Sequence, residues 1–124
     1  MDLDLFKEVN DRLGHEVGDR VLALFAARLQ RTIRGSDTSA RLGGDEFVVV
    51  LPRTDRAGAM QVATSLRRAC DEALEIGGER LLVYASIGIA TAPEDGSDVT
   101  SLLGRADAAM YEAKRARVAS STTA

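Results

Sequence analysis

Between Val17 and Arg34 the apolar residues Leu22, Phe25, Leu29 and Ile33 recur every three or four positions, with Val21 and Leu24 beside them. That spacing predicts an amphipathic helix with one face against a core. Just upstream, Leu5 to Asn10 predicts a short helical turn, and Leu13-Gly14-His15 a break, because glycine turns a chain at little steric cost. Thr38 to Leu42 predicts an extended segment. Phe47-Val48-Val49-Val50-Leu51 is an unbroken apolar run, the pattern of a strand buried on both faces, and Pro52 ends it. Gly43-Gly44 between these segments predicts a tight hairpin turn, with Gly43, Gly44 and Asp45 at its tip.

Asp55 predicts the N-cap of a further helix, whose core face would hold Val62, Leu66, Ala69 or Cys70, and Ala73. Gly77-Gly78 should stop it. Leu81, Val83, Ala85, Ile87 and Ile89 then alternate with Leu82, Tyr84, Ser86 and Gly88, which predicts one strand. Pro93-Glu94-Asp95-Gly96 predicts a loop, and Asp98 the cap of a last helix carrying Leu102, Ala106, Met110 and Ala113. Met1 to Asp4 suits the tail of a buried strand, and Val118 to Ala124 a frayed tail.

The order is β-α-β-β-α-β with a C-terminal helix. It predicts an α+β sandwich with a ferredoxin-like core. The expected strand order is 4-1-3-2, with the third strand antiparallel between the first and second. The end of the first strand and the central hairpin then share one edge of the sheet. Asp2, Asp4, Asp45 and Glu46 should converge there.

Composition narrows the partners. The 124 residues suit one domain, and 45% hydrophobic with 28% charged residues is ordinary globular composition. A single Cys excludes a disulfide framework and a multi-cysteine zinc site. No apolar stretch approaches the ~20 residues of a membrane span. The acidic start, Met1-Asp2-Leu3-Asp4, is unlike a signal peptide, so a cytoplasmic domain with no membrane segment is expected. A net charge of −3, a pI near 5.2 and the absence of Trp argue against a nucleic acid polymer.

Converging carboxylates repel and raise one another's pKa unless a cation neutralises them. Carboxylate oxygens suit Mg²⁺ or Mn²⁺, which keep positions open for substrate phosphates. Gly43-Gly44 would let a large ligand approach the backbone. Metal-assisted phosphoryl chemistry on a nucleotide is one reading. A merely polar hairpin tip is the other, since no P-loop or dinucleotide fingerprint accompanies the turn. His15 reads as a loop-ordering residue and Cys70 as core filling.

Gly43-Gly44-Asp45-Glu46-Phe47 resembles the signature of the GGDEF domain family, the diguanylate cyclases. The surroundings extend the resemblance. Asp2-Leu3-Asp4-Leu5-Phe6-Lys7-Glu8-Val9-Asn10-Asp11 is similar to the family's first-strand segment, and Leu13-Gly14-His15 and Gly18-Asp19 follow at its spacing. Ala85-Ser86-Ile87-Gly88-Ile89-Ala90 and Arg105 to Lys114 resemble its later strand and last helix. The match runs from Asp2 to about Lys114.

The resemblance implies a nucleotide-cyclase-like fold that condenses two GTP molecules into cyclic di-GMP within a homodimer, with two Mg²⁺ (or Mn²⁺) per site. Asp2, Asp45 and the Leu3 carbonyl would hold metal, and Glu46 would activate the hydroxyl or hold the second ion. Asn10 and Asp19 match guanine-reading positions, Lys7 and Lys114 phosphate-contacting ones, and Gly43 and Gly44 would lie against the nucleotide. Arg34 and Asp37 resemble the family's RxxD inhibitory product site, five residues separating Asp37 from Gly43. An assisting arginine of that site falls by count at Ser65, with Arg67 and Arg68 nearby. The resemblance also implies upstream helices and the body of the first strand ahead of Met1. The expected division is a GGDEF domain lacking those parts over 1–117 and a disordered tail over 118–124. Against the cyclase stand two other readings: an inactive module that holds GTP or cyclic di-GMP, and a ligand-free scaffold.

Overall fold

Two ladders meet on one short strand. In the computed structural model β1 (Asp2–Leu3) pairs antiparallel with β3 (Glu46–Val50) on one side and with β6 (Ala85–Ser86) on the other. β2 (Thr38–Gly43) completes the sheet beyond β3, giving the order β2-β3-β1-β6. The remaining elements are α1 (Phe6–Leu13), α2 (His15–Thr32), α3 (Arg56–Ala69), a hairpin of β4 (Leu74–Ile76) and β5 (Glu79–Leu81), and α4 (Val99–Thr122). The structure describes residues 1–4 and 6–122, with side chains to Ala116. α4 therefore reaches into the expected tail at 118–124, of which residues 123 and 124 lie outside the described residues.

Neighbouring residues on a strand point to opposite faces. Leu3 points into the main core, where it is 1% exposed among Val21, Leu22, Phe25 and Leu29 of α2, Phe47 of β3 and Leu66 of α3. The Phe25 and Phe47 rings sit 5.2 Å apart in a tilted pair, joining α2 to the sheet. Asp2 points the other way, towards α4. That helix is seated by Met110, which is buried, and by Gly88, where a Cβ would lie 2.0 Å from the Ala106 carbonyl oxygen. The predicted caps hold: Asp55 accepts from the Gly58 N–H at 2.9 Å and Asp98 from that of Ser101 at 2.7 Å.

The expected strand order holds, with corrections around it. The single strand expected over Leu81 to Ile89 is two. Gly77 and Gly78 both take positive φ, 57° and 82°, and close a two-residue hairpin that pairs Leu74 with Leu81. Alternation ran through this change of partner because Leu81, Val83 and Ala85 all stay buried. The third helix ends at Ala69, so Ala73 leaves its core face for the hairpin's approach. The turn expected at Leu5 to Asn10 is, from Phe6 onward, the helix α1, and Leu5 lies outside the described residues. Ile33 leaves α2 in an extended conformation, and Leu24 is 40% exposed rather than part of the stripe. β3 is buried on one face only. Phe47 and Val49 meet the core, while Val50 is 55% exposed on the face that α4 leaves open.

Candidate functional site

The antiparallel register sets Asp2 opposite Glu46 on one side and opposite Ser86 on the other. Backbone bonds lock this arrangement: the Leu3 N–H donates to the Asp45 carbonyl at 3.1 Å, and the Phe47 N–H to the Met1 carbonyl at 2.8 Å. Asp2 and Asp45 are thereby held side by side at one edge of the sheet. Burial, then the Asp2 carboxylate beside it, pushes the Asp45 carboxyl above its usual range, and Lys114 offsets part of this.

Asp2 is almost enclosed. Its Oδ2 accepts from the Lys114 ammonium of α4 at 3.0 Å, while its Oδ1 is buried with no hydrogen-bond partner among the described residues. An unpaired buried carboxylate oxygen is costly, and it is the kind of group that a cation satisfies. Burial opposes the charge on Lys114, but Asp2, Asp4 and Asp45 together outweigh it and hold the ammonium above its usual range.

Of the four carboxylates expected at this edge, Asp2 and Asp45 lie side by side, Glu46 stands opposite Asp2 in the ladder, and Asp4 is near enough to act on the same Lys114 ammonium. Among the described residues no three His, Cys, Asp or Glu side chains form a cation cage. Asp4 turns to Ser86, whose hydroxyl donates to it at 2.8 Å. Glu46 stays exposed, opposite Asp2 in the ladder. Two carboxylates with a backbone carbonyl still suit Mg²⁺, which commonly keeps most of its positions for water and phosphate oxygens. The residues present therefore fit such an ion.

Gly43 and Gly44 take φ of 152° and 50°, and a Cβ at either would meet nothing within 4 Å among the described residues. Backbone conformation, not crowding, requires glycine here, and the space beside the turn is open. Arg41 braces it by donating from Nε to the Gly44 carbonyl at 2.8 Å. Where α1 meets α2, a Cβ on Gly18 would lie 1.7 Å from the Asn10 Oδ1, so the Asn10 side chain rests on the backbone just before Asp19. Asp19 in turn lines a cleft of about 600 Å³ with Leu22, Arg41 and Phe47. Lys7 is exposed on α1.

Arg34 and Asp37 form a separate cluster. Asp37 is 5% exposed and accepts from the Arg34 backbone N–H at 3.0 Å and from its guanidinium at 3.2 Å. The guanidinium bonds hold the Asp37 carboxyl below its usual range. The same arginine donates to the Thr54 hydroxyl at 3.0 Å. Arg67 sits exposed in the last turn of α3, whereas Thr54 precedes its first turn. Among the described residues no hydrogen bond or ion pair joins Arg67 to Arg34 or Asp37. Sequence reasoning missed Arg41, Thr54 and Ser86. Thr54 and Ser86 act through partners 20 and 82 positions away, which no local spacing announces, and Arg41 acts by bracing the turn backbone itself.

No helix among the described residues is long and apolar enough to cross a membrane. The family model for the diguanylate cyclase GGDEF domain matches residues 1–119. The chain is 45% identical over 114 residues to the bifunctional diguanylate cyclase/cyclic di-GMP phosphodiesterase MucR of Pseudomonas aeruginosa, covering 92% of this chain but only 17% of that protein. Its fold is similar to the crystal structure of the GGDEF domain of YfiN (TpbB) from P. aeruginosa, with a TM-score of 0.87 and 43% identity over 92% of this chain and 72% of that one. It is also similar to the GGDEF domain of DgcB from Caulobacter crescentus in complex with c-di-GMP, with a TM-score of 0.82 and 30% identity over 93% and 69% of the two chains.

Proposed function

The chain belongs to the GGDEF family, and from that premise we propose that it forms half of a diguanylate cyclase site. Two GTP molecules would be joined into cyclic di-GMP with release of two pyrophosphates. The observation that carries this reading is the buried Asp2 carboxylate, one oxygen on Lys114 and the other without a hydrogen-bond partner among the described residues, beside Asp45 and an open Gly-Gly turn.

Asp2, the Leu3 carbonyl, Asp45 and Glu46 would hold Mg²⁺ or Mn²⁺, two ions per site. Such ions supply positive charge to phosphate oxygens and favour ionisation of an attacking hydroxyl. Glu46 is exposed opposite Asp2, accessible to accept a proton from the 3′-hydroxyl. Asp19 can accept from the N1–H and 2-amino group of guanine, and Asn10 can donate to a ring acceptor. Adenine lacks that amino donor and would leave Asp19 underpaired. Lys7 and Lys114 would meet phosphate as mobile point charges. The open turn at Gly43 and Gly44 leaves room for the nucleotide.

Each chain would hold one GTP, so bond formation needs a second copy facing the first. Each 3′-hydroxyl then attacks the α-phosphate of the other nucleotide. Incubation with GTP and Mg²⁺, followed by chromatography, tests the reading. Cyclic di-GMP is expected from the chain and not from Asp45→Asn, and no product at any protein concentration overturns it.

The Arg34 cluster favours a second role. Asp37 and Thr54 orient a guanidinium that remains 60% exposed, ready to meet a phosphate or a guanine edge of the product. Calorimetry with cyclic di-GMP should show binding that Arg34→Ala abolishes. Equal heats from both proteins would remove this role.

A further inference from the structure

We infer that Lys114 is the resident counter-ion of Asp2, and that a divalent cation and Lys114 compete for that carboxylate. The inference rests on the reading of Asp2 and Asp45 as cation ligands, and adds what holds their charge before the cation arrives. The Asp2 side chain is 12% exposed and has Asp45 against it. Two carboxylates in so little water need a positive partner. Among the described residues the one ion pair that Asp2 makes is with Lys114, at 3.0 Å.

The delivery of that ammonium is rigid up to the side chain itself. Met110, one turn earlier on α4, is buried, and Gly88 lets the helix backbone settle onto the chain just after β6. Lys114 then extends to Asp2 with its side chain 34% exposed, so its head has a path back to water. A divalent ion at Asp2 and Asp45 would stand close to the ammonium, and like charges in a poorly hydrated site repel. The cation therefore displaces Lys114 from Oδ2 while satisfying the orphan Oδ1.

The released ammonium stays within reach of the open turn, where an anionic phosphate can capture it. By linkage, cation and phosphate then favour each other's binding through Lys114. The same residue thus keeps the empty site from carrying bare negative charge and withholds a tight cation site until phosphate is present.

The test measures Mn²⁺ binding to the nucleotide-free protein, by the loss of the free-ion electron paramagnetic resonance signal. Lys114→Met should bind Mn²⁺ about tenfold more tightly than the wild type, a usual size for such coupling. Lys114→Arg, which keeps the charge, should stay near the wild type. Inorganic pyrophosphate should tighten Mn²⁺ binding more in the wild type than in Lys114→Met. Should Lys114→Met fail to fold by circular dichroism, Lys114→Gln takes its place. Equal or weaker Mn²⁺ binding by the neutral variant overturns the inference. Asp45→Asn separates the two ideas. If it weakens Mn²⁺ binding while the neutral Lys114 variant changes nothing, the counter-ion role alone falls. If it changes nothing, the cation reading falls and the inference with it.

Discussion

Gly18 shows how much a single position can settle. The missing side chain at Gly18 is where the Asn10 amide rests, 1.7 Å from an added Cβ. Gly18→Ala must expel Asn10. We expect a loss of about 1–3 kcal/mol in urea unfolding, as for other overpacked sites. GTP affinity should fall about tenfold in the same variant, the effect of losing one oriented hydrogen-bonding group. Asp37 makes a prediction in pH. Its carboxyl is held below the ordinary aspartate value of about 3.8 by Arg34. The stability it contributes is thus full above that value and is lost as pH falls through the lower folded value. In Arg34→Ala the folded value moves back towards 3.8, so the slope of stability against pH below about 4 should flatten in acid titrations followed by circular dichroism. An unchanged slope would mean that the pair contributes nothing.

At the scale of elements, α4 is the part on which the site depends most. It is placed by a close backbone approach as well as by side-chain burial. In Gly88→Ala the new Cβ would lie 2.0 Å from the Ala106 carbonyl oxygen and 2.4 Å from the Met110 nitrogen, and backbone cannot rotate away. The variant should free α4, speeding amide exchange along it before the rest of the fold. Met110→Ala instead leaves a cavity and should cost about 2–5 kcal/mol. The contrast separates docking from core packing. Element types were largely legible from periodicity. Val21, Leu22, Phe25 and Leu29 announced α2 because a 3.6-residue repeat is a local property. The β4–β5 hairpin was not legible. Its residues alternate in step with those of the strand that follows, so the pattern cannot show that the hydrogen-bonding partner changes.

The whole molecule is a sheet with unequal faces. α2 and α3 build the core on one, and α4 covers the β1–β6 half of the other. Residues of β3 should therefore differ sharply by parity. Phe47→Ala should cost about 3–5 kcal/mol in denaturant unfolding. Val50→Thr, one of the exposed set, should stay within about 0.5 kcal/mol. Comparable losses at both positions would place a cover over the second face. Function belongs to this scale too, since the proposed reaction needs two copies. The rate of cyclic di-GMP formation per chain should rise with protein concentration and level off only once chains are paired. A constant specific rate across dilution would rule out assembly of the site from two chains.

The chain alone determined residue types, periods and short spacings. Gly43-Gly44-Asp45-Glu46-Phe47 and the helical stripe of α2 follow from patterns that each segment carries within itself, and the expected strand order came from the succession of elements taken together. Tertiary structure decided partners. It set Asp2 beside Asp45, turned Asp4 to Ser86, and brought Lys114 to Asp2 across 112 positions of sequence. The physical reason is the reach of each kind of information. Periodicity says which face a side chain takes. Which residue meets it there depends on where a distant helix lands, and α4 lands where Gly88 leaves room for its backbone.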